Sequence, residues 1–294
     1  MQAAIKGSES SLRLAALTLS GINLSSPAEY CLSLKKTLLE TEADLAVLPA
    51  YSSLLLAFSS GRYDESPAFC DLLNEMPPRL EQWNEEFLSL HSELAAELGL
   101  YLVPGTYLEV CNQNIYHCAC CFNPEGRVIA VQRQTHLNRE ERELGFSRGE
   151  ELKLFKVGEL KVGLLIGCDA RHPETGRLLA LQGADLVLHC GALDAGVNCW
   201  SQAAGIWAQV QQNQFWAVEA PLCASMAGRI FAAAPIIHGP CEITQDKSGY
   251  LCRRYPGDPY AAGNINEAAR QALKKRYPLL GLLNPHAYGA LEHS

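Results

Sequence analysis

Strand-like and helix-like segments alternate almost from end to end of this 294-residue chain, and the alternation predicts an α/β protein. Two further observations support that class. Residues 43–49 (ADLAVLP) and 161–166 (KVGLLI) are short continuous apolar runs of the kind that strands show when both their faces are covered. No internal repeat, low-complexity tract or linker divides the sequence, so one domain spanning 1–294 is expected, although length alone would allow about two.

The elements follow in order. Residues 12–19 read as a first strand. Ser26, Pro27 and Glu29 then supply an N-cap, a proline at the first helical position and a glutamate three residues after the cap, so a helix is expected to about Thr41. Residues 43–49 are an interior strand. Apolar residues at helical spacing over 80–98 predict a helix that stops at Gly99. Residues 101–105 return to strand, and 115–122 with 127–131 form a hairpin closed by Asn123-Pro124-Glu125-Gly126. After the strand 161–166, Pro173 opens a helix that ends near Gly183. A strand over 185–189, a helix over 200–212, a strand over 215–220, a second hairpin around 245–249 and a closing helix over 264–276 complete the reading.

Charge and composition exclude several functions. The chain has 24 Lys+Arg against 32 Asp+Glu, a net charge of -8, and no basic stripe, so nucleic acid is not an expected partner. Hydrophobic residues make up 48% and charged residues 19%, the balance of a globular protein. The apolar stretch 14–19 is broken by Thr18 and too short for a secretory segment, and no run approaches the roughly 20 apolar residues of a membrane span. Twelve cysteines without an export signal read as reduced thiols, and a cytoplasmic location is expected. His117-Cys118-Ala119-Cys120-Cys121 offers zinc donors, but it lacks the two separated ligand pairs of a structural site. On a strand, Cys118 and Cys120 share one face and Cys121 takes the other, which predicts packing, with no metal or cofactor. Phosphate-cradling glycine motifs are absent.

Five segments share a vocabulary: residues 43–49 (ADLAVLP), 122–129 (FNPEGRVI), 133–137 (RQTHL), 161–174 (KVGLLIGCDARHPE) and 178–186 (LLALQGADL). With the tail residues 276–280 (RYPLL) and 284–288 (NPHAY), they resemble the nitrilase superfamily of carbon-nitrogen hydrolases, in order and at family-like spacing over residues 11 to 289. The resemblance implies a four-layer α-β-β-α sandwich and, by analogy, a homodimer. It also implies chemistry resting on a Glu base, a Lys that stabilises the oxyanion and a Cys nucleophile. The Cys attacks an amide or nitrile carbon, ammonia or an amine leaves, and water hydrolyses the thioester.

At each of those three places the chain departs from the family. It has Pro49-Ala50 for Pro-Glu, Arg133-Gln134 for Arg-Lys, and Gly167-Cys168-Asp169 for Cys, an aromatic and Asp. Sliding the match by one to use Cys168 misplaces Asp169, Arg171, Pro173 and Glu174, and adjacent strand residues point in different directions, so Cys168 is expected to face packing. Ala50 cannot take a proton and Gly167 cannot attack. The expectation is a protein that keeps the fold and a pocket for an unidentified small molecule or a regulatory partner, with Tyr51, Gln134 and Cys168 as candidate ligand-binding residues. The alternative is an active amide or nitrile hydrolase rewired around Cys168, with Glu141 or Glu143 as base. His136 reads as a buried, hydrogen-bonded residue, and residues 139–143 (REERE) as a solvated, ion-paired face. The joint presence of Ala50 and Gln134 reads as the paired removal of two charges that offset each other.

Overall fold

Side chains alternate across each strand, and in this chain the alternation builds four layers. The computed structural model describes residues 11–61, 77–196, 198–284 and 286. The first half gives β1 (Arg13–Leu17), α1 (Pro27–Thr41), β2 (Leu45–Val47), α2 (Ser52–Ser59), α3 (Pro77–Leu98), β3 (Tyr101–Val103), β4 (Thr106–Cys111), β5 (Asn114–Phe122), β6 (Val128–Arg133), α4 (Arg139–Glu143) and β7 (Phe146–Ser147). The second half gives β8 (Leu154–Val157), β9 (Leu160–Ile166), α5 (Pro173–Leu181), β10 (Leu186–Gly191), α6 (Cys199–Ala203), α7 (Ile206–Asn213), β11 (Trp216–Pro221), β12 (Ala224–Met226), β13 (Arg229–Phe231), β14 (Ile236–His238), β15 (Tyr250–Arg253), β16 (Tyr260–Asn264) and α8 (Glu267–Arg276).

Among the described residues one sheet runs β16-β1-β2-β3-β5-β4, with β6 and β7 also paired to β5, and a second runs β15-β14-β11-β10-β9-β8. Leu14, Ala16, Leu45, Val47, Ala119 and Cys121 of the first meet Val162, Leu164, Leu186, Leu188, Trp216 and Val218 of the second in the layer between them. The opposite residues of the first sheet, including Ala15, Ala46, Cys118 and Cys120, pack under α1 and α3. Those of the second, Leu165, Val187 and Ala217, pack under α5 and α7. This is the α-β-β-α sandwich, and the cysteines of β5 divide between its layers as the strand period requires.

Local signals explain the elements that matter. Ser26 accepts a hydrogen bond from Glu29 N at 3.2 Å, Pro27 opens α1, and the helix closes on Glu42 in the left-handed region. The turn between β5 and β6 is held by Asn123, whose side chain accepts from Glu125 N and Arg127 N. Gly126 there is required: its φ is +73°, and a Cβ would stand 2.6 Å from the Ser92 carbonyl oxygen.

Two expected helices need correction. The segment 200–212 is broken into α6 and α7 at Gly205, whose ψ of -114° is not helical and whose amide is bonded back to Gln202 O. The closing helix begins at Glu267 behind an Asn266 cap, because Asn264 is the end of β16 and pairs with Arg13. The tail residues Pro285, Ala287 and Tyr288 lie outside the described residues. No helix among the described residues is long and apolar enough to cross a membrane.

Candidate active site

The short loop after β2 and the segment between β6 and α4 meet at a carboxylate. Glu141 is buried, and its oxygens accept from Gln134 Nε2 at 2.9 Å, Asn138 N at 2.8 Å and Tyr51 Oη at 3.0 Å. Asn138 returns a bond to Glu141 N, closing a capping box that starts α4. Burial opposes ionisation of Glu141, but the nearby His117 ring, 3.6 Å away, and the bonds from Asn138 N and Tyr51 Oη outweigh it and hold the carboxyl below its ordinary range.

Gln134 is fully buried and joins this carboxylate to His117. Its Nε2 faces two atoms that can only accept, Glu141 Oε2 and His136 O, which fixes the amide orientation. Its Oε1 therefore accepts from His117 Nδ1 at 2.6 Å. His117 Nε2 meets Thr106 Oγ1 at 2.5 Å, and that hydroxyl accepts from Tyr51 N. The Tyr51 ring stacks on His117 with centroids 4.6 Å apart.

At the end of β9 the backbone turns through Gly167 at φ +52° into a single 3-10 turn, Gly167–Arg171. A Cβ on Gly167 would stand 3.2 Å from Gln134 Nε2, so positions 134 and 167 are neighbours. Asp169 pins the two segments together: its side chain accepts from Thr135 N, Thr135 Oγ1, His136 N and Ile166 N. That fourfold role fixes Asp169 against both segments. Cys168 donates its thiol to His136 O at 2.9 Å. Burial, then the charges of Glu141 and Asp169, push that thiol up to about 12, so it is neutral at ordinary pH.

Tyr51 and Glu141 from the first-sheet side, and Gly167, Cys168, His189 and Glu219 from the second-sheet side, line a cavity of about 80 Å³. The parallel register of β10 and β11 sets His189 beside Glu219. His189 Nε2 donates to Gly167 O at 2.9 Å, and His238 Nε2 donates to Glu219 Oε2 at 2.8 Å. The Nδ1 atoms of both histidines are buried without a hydrogen-bond partner among the described residues.

The structure thus gathers Tyr51, Gln134, Glu141, Gly167 and Cys168 from the sequence candidates. Gln134 stands behind the wall and does not line the cavity. Ala50 is fully buried in the layer between the sheets, one residue from Tyr51. Glu143 is not brought in: it is exposed and paired with Arg139. The expectation of a solvated face over 139–143 holds for Glu143, and for Glu140 paired with Arg229, but not for Glu141, which the capping box turns inward. His136 is half-exposed rather than buried, stacked on His172 at 4.1 Å. His117, Thr106, His189, Glu219 and His238 went unassigned in sequence, except that His117 was weighed as a metal donor. A lone charged residue inside the apolar strand WAVEAP was the available signal for Glu219.

A model of the carbon-nitrogen hydrolase family matches residues 16–239. The deaminated glutathione amidase of Mus musculus is 27% identical over 271 residues, which cover 86% of this chain and 80% of that protein. A nitrilase from Pyrococcus abyssi is 35% identical over 103 residues, 33% of this chain and 36% of its own. Among solved structures, a carbon-nitrogen hydrolase from Helicobacter pylori has a TM-score of 0.75 at 15% identity, covering 97% of this chain and 98% of that one. The amidase from Nesterenkonia sp., as a double mutant in complex with acrylamide, has a TM-score of 0.70 at 19% identity, covering 96% and 100%.

Proposed function

This chain belongs to the carbon-nitrogen hydrolase family, and on that premise we propose that it keeps the family's cavity as a binding site for a small molecule without the thiol-dependent hydrolysis. Position 167 carries the reading. The resemblance puts the nucleophile there, and this chain has a glycine in the left-handed region with Gln134 Nε2 against its open side. Loss of a nucleophile costs on the order of 10⁴ to 10⁶ in rate. Ala50 and Gln134 add the loss of the base and of the cationic oxyanion donor.

One observation favours a second reading: Cys168 and Glu141 line the same cavity, as a rewired hydrolase would need. The neutral thiol, committed to the His136 carbonyl, weighs against it, because the thiolate is the attacking species. Ammonia release from a panel of amides, nitriles and N-carbamoyl compounds is the test. We expect none above background. Turnover that disappears in Cys168→Ser would overturn the proposal and make Cys168 the nucleophile.

The same proposal takes the chain as one domain that pairs with a second copy. Leu178 and Leu181 on α5 are about half-exposed, and Leu282 more so, apolar surface that a partner would cover. Light scattering of the wild type and of Leu178→Glu/Leu181→Glu should give a dimer and a monomer.

A further inference from the structure

We propose that the cavity binds a small cation that donates N–H bonds, an amidinium or a protonated amine, on the wall made by His189 and Glu219. The inference deepens the binding-site reading above and rests on it. It starts from two imidazole tautomers that the surroundings leave no freedom to choose. His189 Nε2 faces the Gly167 carbonyl oxygen, which can only accept, so that nitrogen carries a proton. Burial lowers the pKa of His189, so the ring is neutral and its Nδ1 presents a bare lone pair. That atom is buried with no partner among the described residues, on a residue only 4% exposed that lines the cavity. His238 Nε2 likewise donates to Glu219 Oε2. Glu219, 3% exposed, therefore reaches the cavity as a buried acceptor beside the His189 ring.

The first-sheet side of the lining adds a second acidic group, Glu141, whose pKa is lowered. Cys168 gives its one hydrogen to His136 O and offers none to the cavity. Arg171 is the cationic side chain on the lining, and it is exposed, so it stands where the cavity meets solvent. Two carboxylates and an unpartnered imidazole nitrogen share a cavity of about 80 Å³ with the side-chain donors of Asn138, Arg171 and Gln202, the last committed to Ala234 O, so the donors stand apart from the His189 and Glu219 pair. A carboxylate ligand would be repelled, and a neutral amide has N–H on one arm only, so its carbonyl would face one of the two acceptors. A planar group of four heavy atoms with N–H on both arms satisfies Glu219 and His189 together, and charge-assisted bonds of that kind are about twice as strong as neutral ones.

Acetamidinium, acetamide and acetate have the same shape and differ in charge, so they separate recognition from fit. Calorimetric titration should give acetamidinium an affinity about tenfold or more above acetamide, with acetate undetected. Glu219→Gln, which keeps an acceptor for His238, should erase that preference while the protein unfolds at a similar urea concentration. The ¹⁵N resonance of His189 Nδ1 should move on addition of acetamidinium to the wild type. Equal affinities, a preference for acetate, or no binding of any of the three would overturn the inference. Ammonia release from acetamide in the same samples would instead overturn the binding-only reading and leave the cation preference to be judged by the titration.

Discussion

The two walls of the cavity carry similar polar groups and treat them in opposite ways. On the first-sheet side, Thr106, His117, Gln134, Glu141 and Tyr51 form a closed network in which each side chain has partners inside the protein. On the second-sheet side, His189 and Glu219 sit just as deep, yet His189 keeps a buried nitrogen with no hydrogen-bond partner among the described residues. A satisfied network makes a fixed scaffold, and an unsatisfied one leaves interaction energy for an occupant. The first wall holds the loops in place, and the second is where chemistry would be received.

Truncation should separate the walls most sharply. Glu141→Leu removes the acceptor for Gln134, Asn138 and Tyr51 and should cost about 3–5 kcal/mol by urea denaturation. His189→Leu loses the bond to Gly167 O but also removes the orphaned lone pair, so its cost should stay within about 1 kcal/mol. Equal costs would erase the distinction.

Changing positions 50 and 134 to the residues that the resemblance implies for the family comes next in size. Gln134 is already bonded to Glu141, so Gln134→Lys places its charge beside a carboxylate and needs no second change. Ala50→Glu instead puts a carboxylate into the apolar layer between the sheets and should cost about 3 kcal/mol, at least twice the loss for Gln134→Lys. This revises the expectation from sequence that positions 50 and 134 offset only each other. A double variant that recovers most of the Ala50→Glu loss would restore that expectation.

Acid titration gives the smallest effect. The folded His189 has a lowered pKa, so its contribution to stability is present above about 6.5 and is lost as pH falls toward the folded value. Glu141 is also lowered, from 4.5, so its contribution is lost only at more acid pH. Urea midpoints against pH should show a shallower slope for His189→Leu just below about 6.5 and for Glu141→Gln below about 4.5. Buried His91, lowered to about 4, keeps some slope in both variants.

Most of the layer architecture was legible because it rests on the strand period: the alternation that split Cys118 and Cys120 from Cys121 is the one that separates the cores. The edge strand β4 was missed, although Asn112 and Gln113, both at positive φ, mark its hairpin with β5. At the site, the resemblance singles out positions 134 and 167, and the structure makes them neighbours. The choice between Glu141 and Glu143 was not legible, since a five-residue helix has no periodicity, and the deciding signal was the three-residue step from Asn138 to Glu141. His189, Glu219 and His238 lie on three strands, and only the register of β10, β11 and β14 brings them together.

The claim on which all of this turns is that the thiol beside the cavity is not a nucleophile. Alkylation of the native protein by iodoacetamide at neutral pH, followed residue by residue by mass spectrometry, tests it directly. Cys199 is exposed and should be modified first, while Cys168, with its thiol pushed up to about 12 and bound to the His136 carbonyl, should stay unmodified over the same time. Modification of Cys168 ahead of Cys199 would contradict the account.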